Sequence, residues 1–134
     1  MAKEELRNPE LNAPLGVFSQ ATKIEAQGTL IFVSGLTSRD PDGTVIGVDD
    51  VKKQTEVILD HMQAILSEAG GSLDDVCKVT VYIRNMKDFA AIHEVRRRYF
   101  KAPLPASTMV EVSMLVSPEL LIEIEAVAVI PPQA

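Results

Sequence analysis

Glu123 and Glu125 stand two residues apart in LLIEIEAVAV (120–129), a run otherwise wholly apolar. Strand alternation puts both on one side with Leu121, Val127 and Val129, and sends Ile122, Ile124, Ala126, Ala128 and Ile130 to the other. A carboxylate among aliphatic neighbours can hold a water and take its proton, the work of a general base. The plainer reading is a strand edge, with one glutamate in water and the other bonded to a lysine or arginine. Ser34-Gly35, closing GTLIFVSG (28–35), offers a hydroxyl and approachable amides that can polarise a carbonyl or hold a water, although a simple turn needs the same pair.

Cations and other reactive groups are few. His93 falls in a helical stretch at a half-exposed place, where an ordinary surface histidine is the default and a site role the alternative. In the run Arg96-Arg97-Arg98, Arg96 shares a stripe with Phe89, Ile92 and Tyr99 and can reach an interface or a carboxylate ligand. Arg39 sits on an exposed, turn-rich loop, LTSRDPDGTVIG. Cys77, the single cysteine, reads as an inert core residue and fits a reducing cytoplasm. Two histidines, His61 and His93, without close ligand spacing make a poor zinc set. There is no GxGxxG or GxxxxGK[ST] motif, so no metal and no cofactor is expected.

These residues need a frame. The chain of 134 residues fits one domain, 1–134, with residues 1–14 read as an irregular N-terminal arm carrying Pro9 and Pro14. From Val51 the pattern Val51, Thr55, Ile58, Met62, Ile65, Ala69 predicts an amphipathic helix, capped by Asp49 or Asp50 and ended by Gly70-Gly71. Cys77, Val79, Val81 and Ile83 alternate with Lys78, Thr80 and Tyr82, a strand with one apolar face. A second helix follows a cap at Asn85 or Asp88, and two strands follow Pro103 and Pro105. The fold class is α+β, two helices packed on one face of a mixed sheet. The other sheet face must also be covered, and a closed ring of identical chains does this.

A net charge of −6 and a pI near 4.9 speak against nucleic acid as a partner. No apolar run reaches membrane-spanning length, and MAKEELRNPELN lacks the apolar core of a secretory signal, so a cytoplasmic protein without a membrane partner is expected.

Taken in order, FSQA, FVSG, EAGGSLDDVCKVTVYIRNMKDFAAIHEV, PLPASTMVEV and LIEIEAVAV resemble the Rid/YjgF family, from about Pro14 to Val129. The resemblance implies a chorismate-mutase-like fold and a homotrimer, a barrel-like assembly with three clefts between subunits. It implies metal- and cofactor-free hydrolysis of a small-molecule enamine or imine to the oxo compound and ammonia. One branch acts on aminomuconate-like ring-cleavage intermediates, and the loop from Ser34 to Gly47 is somewhat similar to that branch.

On this resemblance the catalytic glutamate that positions water falls on Glu123, and the Ser-Gly element on Ser34 and Gly35. The cleft tyrosine is Phe18 here, and an asparagine of the second helix is His93. Typical members carry Pro-Ala-Arg where this chain reads Pro105-Ala106-Ser107, and a frequent cysteine is Met109. The arginine that grips the substrate carboxylate is therefore absent at Ser107, leaving Arg39, Arg96 or His93 to supply a positive group. A ligand-binding or regulatory trimer without catalysis is the alternative.

Overall fold

A computed structural model describes residues 3–25 and 27–133. Strands β1 (Lys3–Leu6) and β2 (Ala21–Ile24) pair antiparallel in a small sheet. The main sheet comprises β3 (Thr29–Leu36), β4 (Val76–Ile83), β5 (Ala106–Glu111) and β6 (Ile122–Ile130), in the order β3-β6-β4-β5. Among the described residues, β4 and β5 are the one strand pair that runs parallel. They are joined through helix α2 (Phe89–Tyr99), the crossover a parallel pair needs. Helix α1 (Val51–Glu68) links β3 to β4 and packs beside α2.

The apolar period puts Ile58, Leu59, Met62 and Leu66 of α1 and Ile92 and Val95 of α2 against one sheet face. That face supplies Val79, Val81, Ile122, Ile124, Ala126 and Ala128, all nearly inaccessible to solvent. Asp50 caps α1, its carboxylate accepting the Lys53 N–H at 3.0 Å. The helix ends where Gly70 adopts φ 84°, a left-handed turn that favours glycine. Gln54, fully buried, accepts the Leu121 N–H at 2.9 Å and donates to the Glu119 carbonyl at 2.9 Å. This helix side chain thereby holds Leu121, the residue just before β6 and two before Glu123.

Several expectations are corrected. Lys3–Leu6, within the stretch expected to be an irregular arm, forms β1, and the Lys3 ammonium donates to the Val76 carbonyl at 2.7 Å. On α1 the buried position is Leu66, while Ile65 is exposed, because the buried stripe runs through Ile58, Met62 and Leu66. A register shift between Val76 and Lys78 puts Val76 in the core and leaves Cys77 only half-buried. Burial pushes the Cys77 thiol above its ordinary range.

Candidate functional site

The second sheet face carries no helix. Cross-strand pairs Leu30–Val129, Phe32–Val127, Tyr82–Glu123 and Thr80–Glu125 lie on it, with Phe32 74% exposed. Glu123 and Glu125 thus share an open sheet face, as their alternation predicts. Their roles differ. Glu125 accepts the Tyr82 hydroxyl at 2.6 Å, so its bond is to a tyrosine of the same chain rather than to the lysine or arginine of the plainer reading. That bond, the largest cause, also raises the Tyr82 hydroxyl's pKa.

Glu123 lies against the Ser34-Gly35 step. Between Val33–Ala126 and Leu36–Ile124 the register shifts, so Ser34 and Gly35 together face the single residue Glu125. This bulge turns the backbone toward the neighbouring side chain. A Cβ placed on Gly35 would collide with the Glu123 carboxylate, so the absence of a side chain there lets the carboxylate rest on the backbone. Glu123 and Gly35 are in contact, with Ser34 the other residue of the bulge.

A second cluster lies across the sheet. In β5, Ser107 pairs with Val79 and Met109 with Val81, residues of the helix-covered face. Ser107 and Met109 join Leu15, Phe18, Phe89, His93 and Arg96 around a cavity of about 190 Å³. Within one chain, Glu123 and Ser107 therefore address opposite sheet faces.

The segment before β2 closes this cavity. Ser19 donates its N–H to the Pro105 carbonyl at 3.0 Å and bridges to Ala106, laying the segment along β5. Val17 is buried, and its N–H donates to His93 Nδ1 at 3.1 Å. Gly16 packs on the His93 imidazole so tightly that a Cβ there would overlap the ring. His93 is thus a buried residue, 4% exposed, and not the half-exposed surface group expected. Burial, helped by repulsion from Arg96 and Arg97, lowers its pKa to about 4. With Nδ1 accepting, the neutral ring carries its proton on Nε2. Phe89 tilts against it, ring centres 4.2 Å apart.

Arg96, 1% exposed, is the cation of this cavity. Its Nη2 donates to the Val17 carbonyl at 3.1 Å and to Ser107 Oγ at 3.2 Å, while the buried Nη1 has no hydrogen-bond partner among the described residues. Desolvation lowers its pKa to about 10. The Phe100 ring centre lies 6.0 Å from the guanidinium carbon. Arg39 is placed elsewhere: Nη1 donates to the Gly43 carbonyl at 2.7 Å and Nη2 to Ser117 Oγ at 3.1 Å, fastening two loops. It does not line the cavity.

Of the expected substrate-site residues, the fold brings Phe18, His93, Arg96, Ser107 and Met109 together around the cavity and leaves Arg39 outside it. It missed Leu15 and Phe89 as cavity walls, and Gly16 and Val17 as the seat of His93. Phe89 was legible as a member of the α2 stripe; Gly16 carried no separate signal. Among the described residues no group of three His, Cys, Asp or Glu is arranged to hold a metal, and no helix is long and apolar enough to cross a membrane.

The family model described as Endoribonuclease L-PSP matches residues 10–130. A RutC family protein of Pyrococcus abyssi is 44% identical over 128 residues, covering 96% of this chain and 98% of that protein. The 3-aminoacrylate deaminase RutC of Acinetobacter baylyi is 38% identical over 128 residues, with the same coverage. The crystal structure of YyfB, a Rid-family protein of Yersinia pestis, matches with a TM-score of 0.86 and 30% identity, covering 97% of this chain and all of the other.

Proposed function

The chain belongs to the Rid/YjgF family, and from that premise we propose that it deaminates a small 2-amino-unsaturated or imino acid to the oxo acid and ammonia. The observation that carries the reading is the seat of Glu123: a half-buried carboxylate resting on the side-chain-free Gly35 at a strand bulge. Water adds to the iminium carbon while Glu123 takes its proton, and the resulting carbinolamine collapses to C=O as ammonia leaves. An enamine enters the same route after protonation at carbon. The Gly35 backbone lies against the carboxylate, and the amides of this bulge are the groups available to steady the developing oxygen charge.

The Glu123 cluster and the Arg96 cavity face opposite ways, so a complete site on this reading takes Glu123 from one copy and the cavity from another. The exposed Leu30 and Phe32, with the half-buried Val127 and Val129, supply the surface for that association, and a closed homotrimer joins the two halves three times. Aminomuconate-like ring-cleavage intermediates belong to the same chemical class. RNA cleavage, which the family model's description suggests, is disfavoured by the net charge of −6.

The test is ammonia release from enamines, imines and aminomuconate-like compounds generated in situ, with wild type and Glu123→Gln compared. The variant is expected to lose roughly 100-fold or more, the scale of general-base catalysis. Equal rates would remove Glu123 from the chemistry. Absence of release from every compound, with binding retained, would favour a ligand-binding trimer.

A further inference from the structure

Tyr82 is the direct cross-strand partner of Glu123, yet its hydroxyl bonds to Glu125, the diagonal neighbour on β6, at 2.6 Å. So short an O–H···O⁻ bond is charge-assisted. Diagonal neighbours on a sheet face stand about 7–8 Å apart, within reach of a tyrosine ring. Tyr82 therefore faces one glutamate and holds the other. Glu123 enters no ion pair among the described residues, and its carboxylate lies against Gly35.

Two carboxylates two residues apart on one face disfavour each other's ionised form, and a general base works only when ionised. The other charged groups on this part of the face belong to β4 and its end. Lys78 turns toward β5, donating to Thr108 Oγ1 at 2.8 Å. Arg84, whose N–H donates to the Leu121 carbonyl at 3.1 Å, stands one step beyond Tyr82 and enters no ion pair among the described residues. From β3 come only Ser34 and Gly35, which carry no charge. Glu125 is thus the carboxylate placed to compete with Glu123. The bond to Glu125, burial, and the charges of Glu125 and Glu123, in that order, raise the pKa of the Tyr82 hydroxyl, which lies in the field of both.

We propose that Tyr82 is a positioning residue for Glu123, tying Glu125 down along the strand so that Glu123 alone stays ionised at the Gly35 bulge. The use made of this brace rests on the deaminase reading; the brace itself does not. A phenylalanine would fill the same place without the bond. Glu125 would then be free to turn toward Glu123, and the two would titrate as a coupled pair with its upper step at higher pH.

The experiment is NMR titration of the glutamate carboxyl carbons in the full chain, with Glu123→Gln and Glu125→Gln assigning the two signals. Tyr82→Phe should raise the Glu123 midpoint by roughly half a pH unit or more, the scale of a unit charge moved closer at a protein surface. Adding Glu125→Gln to Tyr82→Phe should return the midpoint to the wild-type value or below it. An unchanged midpoint in Tyr82→Phe overturns the proposal. So does a rise that survives Glu125→Gln, since Tyr82 would then act on Glu123 directly or through the fold.

If Tyr82→Phe does not fold, Glu125→Gln alone decides. With Tyr82 already holding Glu125, the Glu123 midpoint should fall by less than about 0.3 pH units; a larger fall overturns the proposal. The carbon titration needs no turnover, so the two readings fail separately. A Glu123 midpoint that obeys Tyr82 and Glu125 in a protein releasing no ammonia removes only the deaminase. Ammonia release that depends on Glu123, with its midpoint indifferent to Tyr82, removes only the brace.

Discussion

His93 and Arg96, one helical turn apart on α2, hold the two ends of the same residue: His93 Nδ1 accepts the Val17 N–H and Arg96 Nη2 donates to the Val17 carbonyl, each at 3.1 Å. The spacing i, i+3 puts both side chains on one helix face. The chain before β2 is thereby fixed to α2 by backbone bonds, which is how Leu15 and Phe18 come to wall the cavity.

Acid should loosen this clasp. The folded-state pKa of His93, about 4, lies below its ordinary 6.5, so the fold favours the neutral ring. The stability it contributes is complete above pH 6.5 and is lost as pH falls toward 4, with no further loss below. The full loss is on the order of 3 kcal/mol. Melting temperatures followed from pH 7.5 to 4 should decline across this window, and His93→Asn should flatten the decline. A wild-type profile flat between pH 6.5 and 4.5 would contradict it.

Gly16→Ala should dislodge the same segment without touching α2. The new methyl overlaps the His93 ring, and neither the backbone nor the buried imidazole can yield freely. A cost of about 1–3 kcal/mol is expected, with faster proteolysis before Ser19 and weaker ligand binding in the cavity. Thermal melts and limited digestion read this directly; a wild-type melt with unchanged digestion would show that the ring moves aside.

Gly35→Ala addresses the other cluster. Its methyl takes the space of the Glu123 carboxylate at an exposed bulge, so the fold should tolerate it while the carboxylate moves. On the proposed chemistry, ammonia release should fall roughly tenfold or more, since misplaced general bases lose most of their effect. Ser34→Ala, which leaves the Gly35 backbone in place, should cost less. Rates for Gly35→Ala equal to wild type would mean that the carboxylate's position against Gly35 is not needed.

The frame of this molecule was largely legible, since α1, α2 and β6 announce themselves by periods of about four and two. Long-range contacts decide what was missed. KEEL is short and mostly charged, so β1 is visible only through its pairing with Ala21–Ile24 and the Lys3 bond to Val76. His93 looked half-exposed because nothing in its own helix reveals that Gly16 and Val17 fold over it. Three groups, Arg39, Arg96 and His93, were equal candidates for a cation. Only the fold shows Arg39 spent on two loops, His93 neutral, and Arg96 buried beside Ser107.

The open sheet face gives the last prediction. Phe32 is 74% exposed and Leu30 56%, paired across the strands with Val127 and Val129. Aliphatic and aromatic groups in one contiguous patch are unfavourable in water and mark a surface that is covered in use. Copies associating through this face would bury it and, on the proposed reading, bring Glu123 to a neighbour's cavity. Phe32→Asp should therefore convert a trimer to monomers in sedimentation velocity at micromolar concentration. It should abolish ammonia release in parallel, although Phe32 lines neither cluster. The His93–Val17–Arg96 clasp lies across the sheet, so the variant's pH-dependent loss of stability should keep the same window. A Phe32→Asp protein that stays trimeric would show that the chains meet elsewhere. A monomer with full activity would show that one chain completes the site alone.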